Sequence, residues 1–154
     1  MAGTPTPQTR LIDRLTLDSS LVAHLTGGIW NRPISRDGRG GTPGAFGDGG
    51  HVRPCAVVLD IDETETAFGP PQSFDGFTTI FLYAPRNQTG KDQIAIAWDM
   101  IRSRLHDWNL PMPNGTGARV KAAGRLRTMD DPDDDRRAMG GIRLQITGLW
   151  VRTE

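Results

Sequence analysis

Between residues 54 and 84 the chain carries two β-patterned runs in direct succession, and this constrains its topology more than any other feature. Val57, Leu59 and Ile61 alternate with Val58, Asp60 and Asp62, which predicts a strand with one buried side that turns polar toward its end. Phe77 to Tyr83 (FTTIFLY) predicts a second strand, rich in aromatic and β-branched side chains. Gly69-Pro70-Pro71 and Gly76 punctuate the link between them, and such residues break a helix instead of building one. Strands joined without a helical crossover pair antiparallel.

Two helical stretches flank this region. Leu11 and Leu15, with Ile12 beside them, share one face of residues 7–25. Asp18 reads as an N-cap, Leu21, Val22 and Leu25 form a second apolar stripe, and Gly27-Gly28 stops the helix. Ile29 and Trp30 then begin a short extended segment ending at Pro33. The clearest helix spans residues 90–108, where Ile94, Trp98, Ile101, Leu105 and Trp108 recur at three- and four-residue spacing, with Ala97 in the same stripe. Asp92, Asp99, Arg102, Ser103 and His106 occupy its opposite side, and Pro111 and Pro113 prevent continuation.

Two more strands close the chain. Val120, Ala122, Gly124 and Leu126 alternate with Arg119, Lys121, Arg125 and Arg127; Ile142, Leu144 and Ile146 alternate with Arg143, Gln145 and Thr147. The charged run Asp130 to Arg137 joins them as the tip of a long hairpin. A chain of 154 residues supports one core. The expected fold is therefore a single α+β domain over 1–154: an antiparallel or mixed sheet of about four to five strands, with an N-terminal helical segment and one long amphipathic helix packed on it.

Residues 35–50 break the pattern. Glycines at 38, 40, 41, 44, 47, 49 and 50 leave only Ala45 and Phe46 as apolar side chains, too little burial to offset the entropy of ordering. A flexible loop is expected there. It reads either as a tolerated insertion or as an arm that orders against a neighbouring subunit through Gly38, Arg39, Gly40, Gly41, Phe46, Gly47 and Asp48.

Charge and chemistry-bearing residues narrow the function. Eighteen Lys+Arg balance eighteen Asp+Glu, which removes the basic field of a general nucleic-acid binder and lets copies of the chain approach one another. The single cysteine, Cys55, closes no disulfide within the chain, and no apolar run reaches the roughly 20 residues that span a bilayer. The first residues, MAGTPTPQTR, lack the features of a signal peptide, so no export and no membrane partner are expected.

AVVLDIDETE at 56–65 resembles the first motif of haloacid-dehalogenase-like phosphatases, which would make Asp60 a nucleophile and Asp62 an acid/base beside magnesium. That chemistry needs a parallel sheet with a helix after each strand, whereas here a second strand follows; Asp60 and Asp62 read better as the wet side of a strand. Asp130, Asp131, Asp133, Asp134 and Asp135 could hold calcium loosely, but lack the glycine and closing glutamate of an EF-hand and read as a solvated turn. Arg119, Lys121, Arg125 and Arg127 could track phosphates, but no aromatics interleave with them, so ion pairing across strands or subunits is expected. His24, His51 and His106 form no ligand set or triad. No catalytic residue, metal or cofactor is expected.

The whole chain nevertheless resembles a family, the tail terminator or tail-completion proteins of long-tailed phages. The resemblance rests on the helix ending at Gly27-Gly28 with an aromatic strand after it (GGIW), on Pro54 before a hydrophobic strand (RPCAVVL), on an aromatic strand, on the helix anchored from Ile94 to Trp108, and on a closing hairpin. It covers nearly all of residues 9–152. It implies a virion structural protein, assembled in the host cytoplasm, whose copies form a ring of six on the head-proximal end of the tail tube. The ring would end tube growth, dock the head connector or stopper, and let DNA pass without specific binding. The acidic tip would face the lumen or a basic patch on the next subunit. A head–tail stopper or adaptor is the neighbouring alternative, and would lean toward a small β-barrel.

Overall fold

The computed structural model describes residues 6–34, 42–47, 50–65, 72–111 and 117–152. Helix α1 (Pro7–Thr16) starts where the Thr6 hydroxyl accepts the Thr9 N–H and Pro7 takes the first turn, and it buries Leu11 and Leu15. Helix α2 (Ser19–His24) is capped by Asp18, whose carboxylate accepts the Ser20 and Leu21 N–H groups. Leu21 and Leu25 turn inward while Val22 stays 45% exposed, so the second stripe is narrower than its sequence predicts. Gly28 takes a φ of 94°, the left-handed conformation that lets the chain leave the helix for strand β1 (Ile29–Trp30).

Among the described residues seven strands form one mixed sheet, more than the four to five expected. The path runs from β1 through β2 (Cys55–Val58), β4 (Gln72–Pro85), β7 (Arg137–Arg152) and β6 (Gly117–Asp130) to β5 (Asn109–Pro111), and β3 (Asp62–Glu65) pairs with β4 beside β2. The excess comes from two short pieces, β5 and β3, which lack the length that makes a strand visible as a period of two, whereas β1 is the short extended segment expected at Ile29–Trp30. Strand β2 (Cys55–Val58) lies parallel to β1 and antiparallel to β4 (Gln72–Pro85), with Val58 opposite Ile80; β3 continues along the same edge of β4, with Asp62 opposite Phe77. Residues 54–65 and 74–84 thus lie side by side as one interrupted hairpin.

Burial corrects the expected alternation in this hairpin. All four residues of β2 are buried, because Ala56 and Val58 face the helices while Cys55, on the other face, lies under Ala45 and Val52. A strand covered on both faces shows no alternation to read. Part of the glycine-rich segment does this covering: a 3₁₀ turn at Pro43–Ala45 buries Ala45 completely, and Phe46 bridges to Val52. In this described part of the segment expected as a flexible loop, Ala45 and Phe46 pack with Cys55, Trp30 and Tyr83.

Helix α3 (Gln88–Leu105) lies on the sheet with Ile94, Ala97, Ile101 and Leu105 buried among Leu11, Leu15 and Leu21 from the first helices and Ile80, Leu82, Ile142, Leu144 and Ile146 from the sheet. Asn87 caps it by accepting the Gly90 N–H at 2.7 Å. A Cβ at Gly90 would stand 1.8 Å from the Pro85 carbonyl oxygen, so only glycine fits where the helix start crosses the end of β4. Trp108, expected to be on the helix, lies beyond it: Asp107 takes a φ of 62°, and the Trp108 carbonyl accepts the Val120 N–H. All three helices cover one face of the sheet. Over much of its area the other face remains open.

Candidate assembly surface

The expected cationic row does not share one face. Strands β6 (Gly117–Asp130) and β7 (Arg137–Arg152) pair with a register shift between Ala122 and Gly124, which makes Ala123 the extra residue of a bulge. Before the bulge, Lys121 stands opposite Gln145 on the open face and Arg119 opposite Thr147. After it, Arg125 stands opposite buried Ile142 and turns toward the helices, where its guanidinium lies 4.8 Å over the Trp98 ring. A second shift follows between Leu126 and Met129, and Arg127 within it is exposed.

Across the open face runs a row of directly opposed residues: Lys121 on β6, Gln145 on β7, Phe77 on β4 and Asp62 on β3. Phe77 is 44% exposed, large for an aromatic ring in a sheet centre. Asp75, opposite Thr64 on β3, accepts a hydrogen bond from the Gln145 amide at 3.3 Å. The row begins with a cation and ends with a carboxylate. Among the described residues neither charge has an ion-pair partner. Sequence reasoning singled out Lys121 and missed Phe77 as a surface group; the adjacent small residues Ala122-Ala123-Gly124 were the available signal for the bulge.

The acidic tip is more tightly built than its composition suggests. Asp131 is only 5% exposed; its carboxylate takes the Arg137 guanidinium and accepts the Asp133 N–H. Arg137 also lies 4.6 Å over the Tyr83 ring. Asp130 meets Arg86 at 3.1 Å and Lys91 at 3.6 Å, and Asp134 accepts the Arg136 N–H. Asp133 and Asp135 are exposed. Asp131 is therefore unavailable to a lumen or to a neighbour, because the turn consumes it. Of the proposed arm residues, Phe46 and Gly47 follow the 3₁₀ turn, Phe46 bridging to Val52 and the Gly47 N–H donating to the His51 carbonyl, and Gly38, Arg39, Gly40, Gly41 and Asp48 lie outside the described residues.

A shallow cleft of about 340 Å³ on the open face is lined by Leu59, Asp60, Asp62, Phe77, Thr79 and Arg143. Asp60 is exposed and accepts the Ile61 N–H. It lies between β2 and β3, both of which pair antiparallel with β4, whereas the phosphatase motif sits in a parallel sheet with helical crossovers. Among the described residues no cluster of three His, Cys, Asp or Glu side chains is arranged to hold a metal. Among the described residues no helix is long and apolar enough to cross a membrane.

Comparison with protein-family models finds no match, and comparison with curated protein sequences finds none. Solved structures do match. One is a chain of the virion of a native gene transfer agent particle, with a TM-score of 0.60 and 13% identity over 92% of this chain and 94% of that one. Another matches with a TM-score of 0.53 and 15% identity over 99% of both chains. At such identities the likeness is one of fold.

Proposed function

We propose that this chain is a structural subunit of a phage-like virion, whose copies form a ring at the head-proximal end of the tail tube, end tube polymerisation and join the tail to the head connector. The observation that carries the reading is the fold shared, over nearly the whole of both chains, with a chain of the gene transfer agent virion. The surface is consistent with it. Charges of both signs and a half-exposed phenylalanine line an open sheet face. Balanced net charge lets copies approach, and DNA would cross the ring without specific contacts. Six copies is the expected number.

A stopper or adaptor would share the virion context. The described sheet favours the terminator, because its path ends at β1 and β5 without closing into a barrel. The test is to add the purified chain to tube protein of the same particle during polymerisation. Short tubes bearing one terminal ring in electron micrographs are expected. Tubes that lengthen as before, with bare ends, would overturn the reading.

A further inference from the structure

Among the described residues, two stretches of strand backbone lie at opposite edges of the sheet with no strand beyond them. On one side β3 pairs only with β4. On the other, β5 covers β6 only at residues 117–119; Val120 is taken by Asp107 and Trp108, and the Ala122 N–H by the His106 ring. From Ala123 to Asp130 the outer edge of β6 has no described partner strand. Such edges invite another strand, and proteins that must stay single blunt them.

The two edges carry opposite charge. Strand β3 reads Asp62-Glu63-Thr64-Glu65, and the β6 edge carries Arg125 and Arg127 with Lys121 just before it. Two β6 edges therefore repel, as do two β3 edges, while β3 against β6 attracts. Glycine at 124 adds a second observation. A Cβ there would meet nothing within 4 Å, and its φ is not positive, so neither this chain's packing nor its backbone requires glycine. In a strand interior glycine also marks a close approach of another backbone.

We infer that β3 of one copy pairs with the free edge of β6 of the next copy, so that the sheet runs on from subunit to subunit. This deepens the ring reading and rests on it. Directions are compatible: β3 and β7 both run antiparallel to β4, and β6 antiparallel to β7, so copies added in one sense set β3 antiparallel to β6. The contact is head-to-tail, the kind that closes into a ring when the rotation permits. β3 faces the level of Lys121 within its own sheet, while the free edge begins at Ala123, so each copy steps a few residues along the strand direction; such a step tilts strands in a closed assembly. Phe77 behind β3 and Met129 on β6, 44% and 43% exposed, supply apolar area beside the joint.

The test uses the full chain and two charge-reversed forms, Lys121→Glu with Arg127→Glu, and Asp62→Lys with Glu63→Lys, each checked for its far-ultraviolet spectrum and melting transition. Light scattering should show that each form alone associates at least roughly tenfold more weakly than the parent, since like charges face each other across the joint. An equimolar mixture of the two should regain assembly, because one form now has two acidic edges and the other two basic ones. Should a reversed form not fold, the variant with Thr64→Cys and Gly124→Cys decides: under oxidation it should give a ladder of covalent multimers. If the parent forms rings but the reversed forms assemble as tightly, or the cysteine pair gives no ladder, the joint is wrong and the ring reading stands. A parent that is monomeric at every concentration overturns both.

Discussion

Asp62 stands opposite Phe77 in the ladder between β3 and β4, and a few residues along the same edge Val58 stands opposite Ile80. The two acidic residues of the Asp60-Ile61-Asp62 string therefore belong to a hairpin, and their side chains border an open sheet face instead of the crevice of a doubly wound sheet. That placement leaves the charged side chains beside a half-exposed phenylalanine on the face away from the helices.

The buried pair at the hairpin tip should dominate local stability. Replacing Arg137 by Met leaves the Asp131 carboxylate, 2% exposed at its side chain, without its partner, which costs about 3–5 kcal/mol. Asp133→Asn and Asp135→Asn, at exposed positions, should stay within about 0.5 kcal/mol. Denaturant unfolding of the three variants checks the contrast.

Acid should loosen the junction between the first helices and α3. The Arg104 guanidinium that hydrogen-bonds Asp18 at 2.8 Å, helped by the Leu21 and Ser20 N–H groups, holds this carboxyl below its ordinary value despite burial. A depressed folded value means the stabilisation is present above the unfolded value near 3.9 and is lost as pH falls through the folded one. Melting temperatures from pH 7 to pH 2 should fall less steeply at the acid end for Asp18→Asn than for the parent, although that variant starts lower.

Two glycines should respond oppositely to alanine. Gly90→Ala drives a methyl group into the Pro85 carbonyl and should cost about 3 kcal/mol or more. Gly124→Ala meets open space and should stabilise the single subunit by about 0.5–1 kcal/mol. Thermal unfolding read beside association of the same samples separates the two effects.

Cys55 should be inert while the chain is folded. Burial pushes its thiol up to about 12, against a lesser opposing pull from Arg137, so thiolate is scarce at any ordinary pH. A water-soluble thiol reagent at pH 8 should label it only at the rate of unfolding; rapid labelling would mean that Ala45 and Val52 do not cover it.

Much of the architecture was legible where a period had room to repeat. The stripe from Ile94 to Leu105, the alternation in FTTIFLY and the hairpin around Asp130 to Arg137 each mapped onto α3, β4, or β6 and β7. What stayed hidden was decided by partners distant in the chain. Cys55 and Val57 are buried on the face opposite the helices, where Ala45 and Val52 pack on Cys55, and nothing local in AVVLDID announces a second cover. Arg125 left the cationic row because one bulged residue reverses every side chain after it, a shift that alternation alone cannot locate. For the surface, sequence identified the charges; which of them have no ion-pair partner among the described residues, as Lys121 and Asp62 have none, depended on ion pairs such as Asp131 with Arg137 that form only in the fold.

The mass of the purified chain in solution, read by light scattering across a concentration series and followed by imaging of the largest species, tests the central claim most directly. A closed ring with a fixed whole-number multiple of the subunit mass, six being the expected value, is the predicted result. A monomer at every concentration, with no annular particle on the grid, would contradict it.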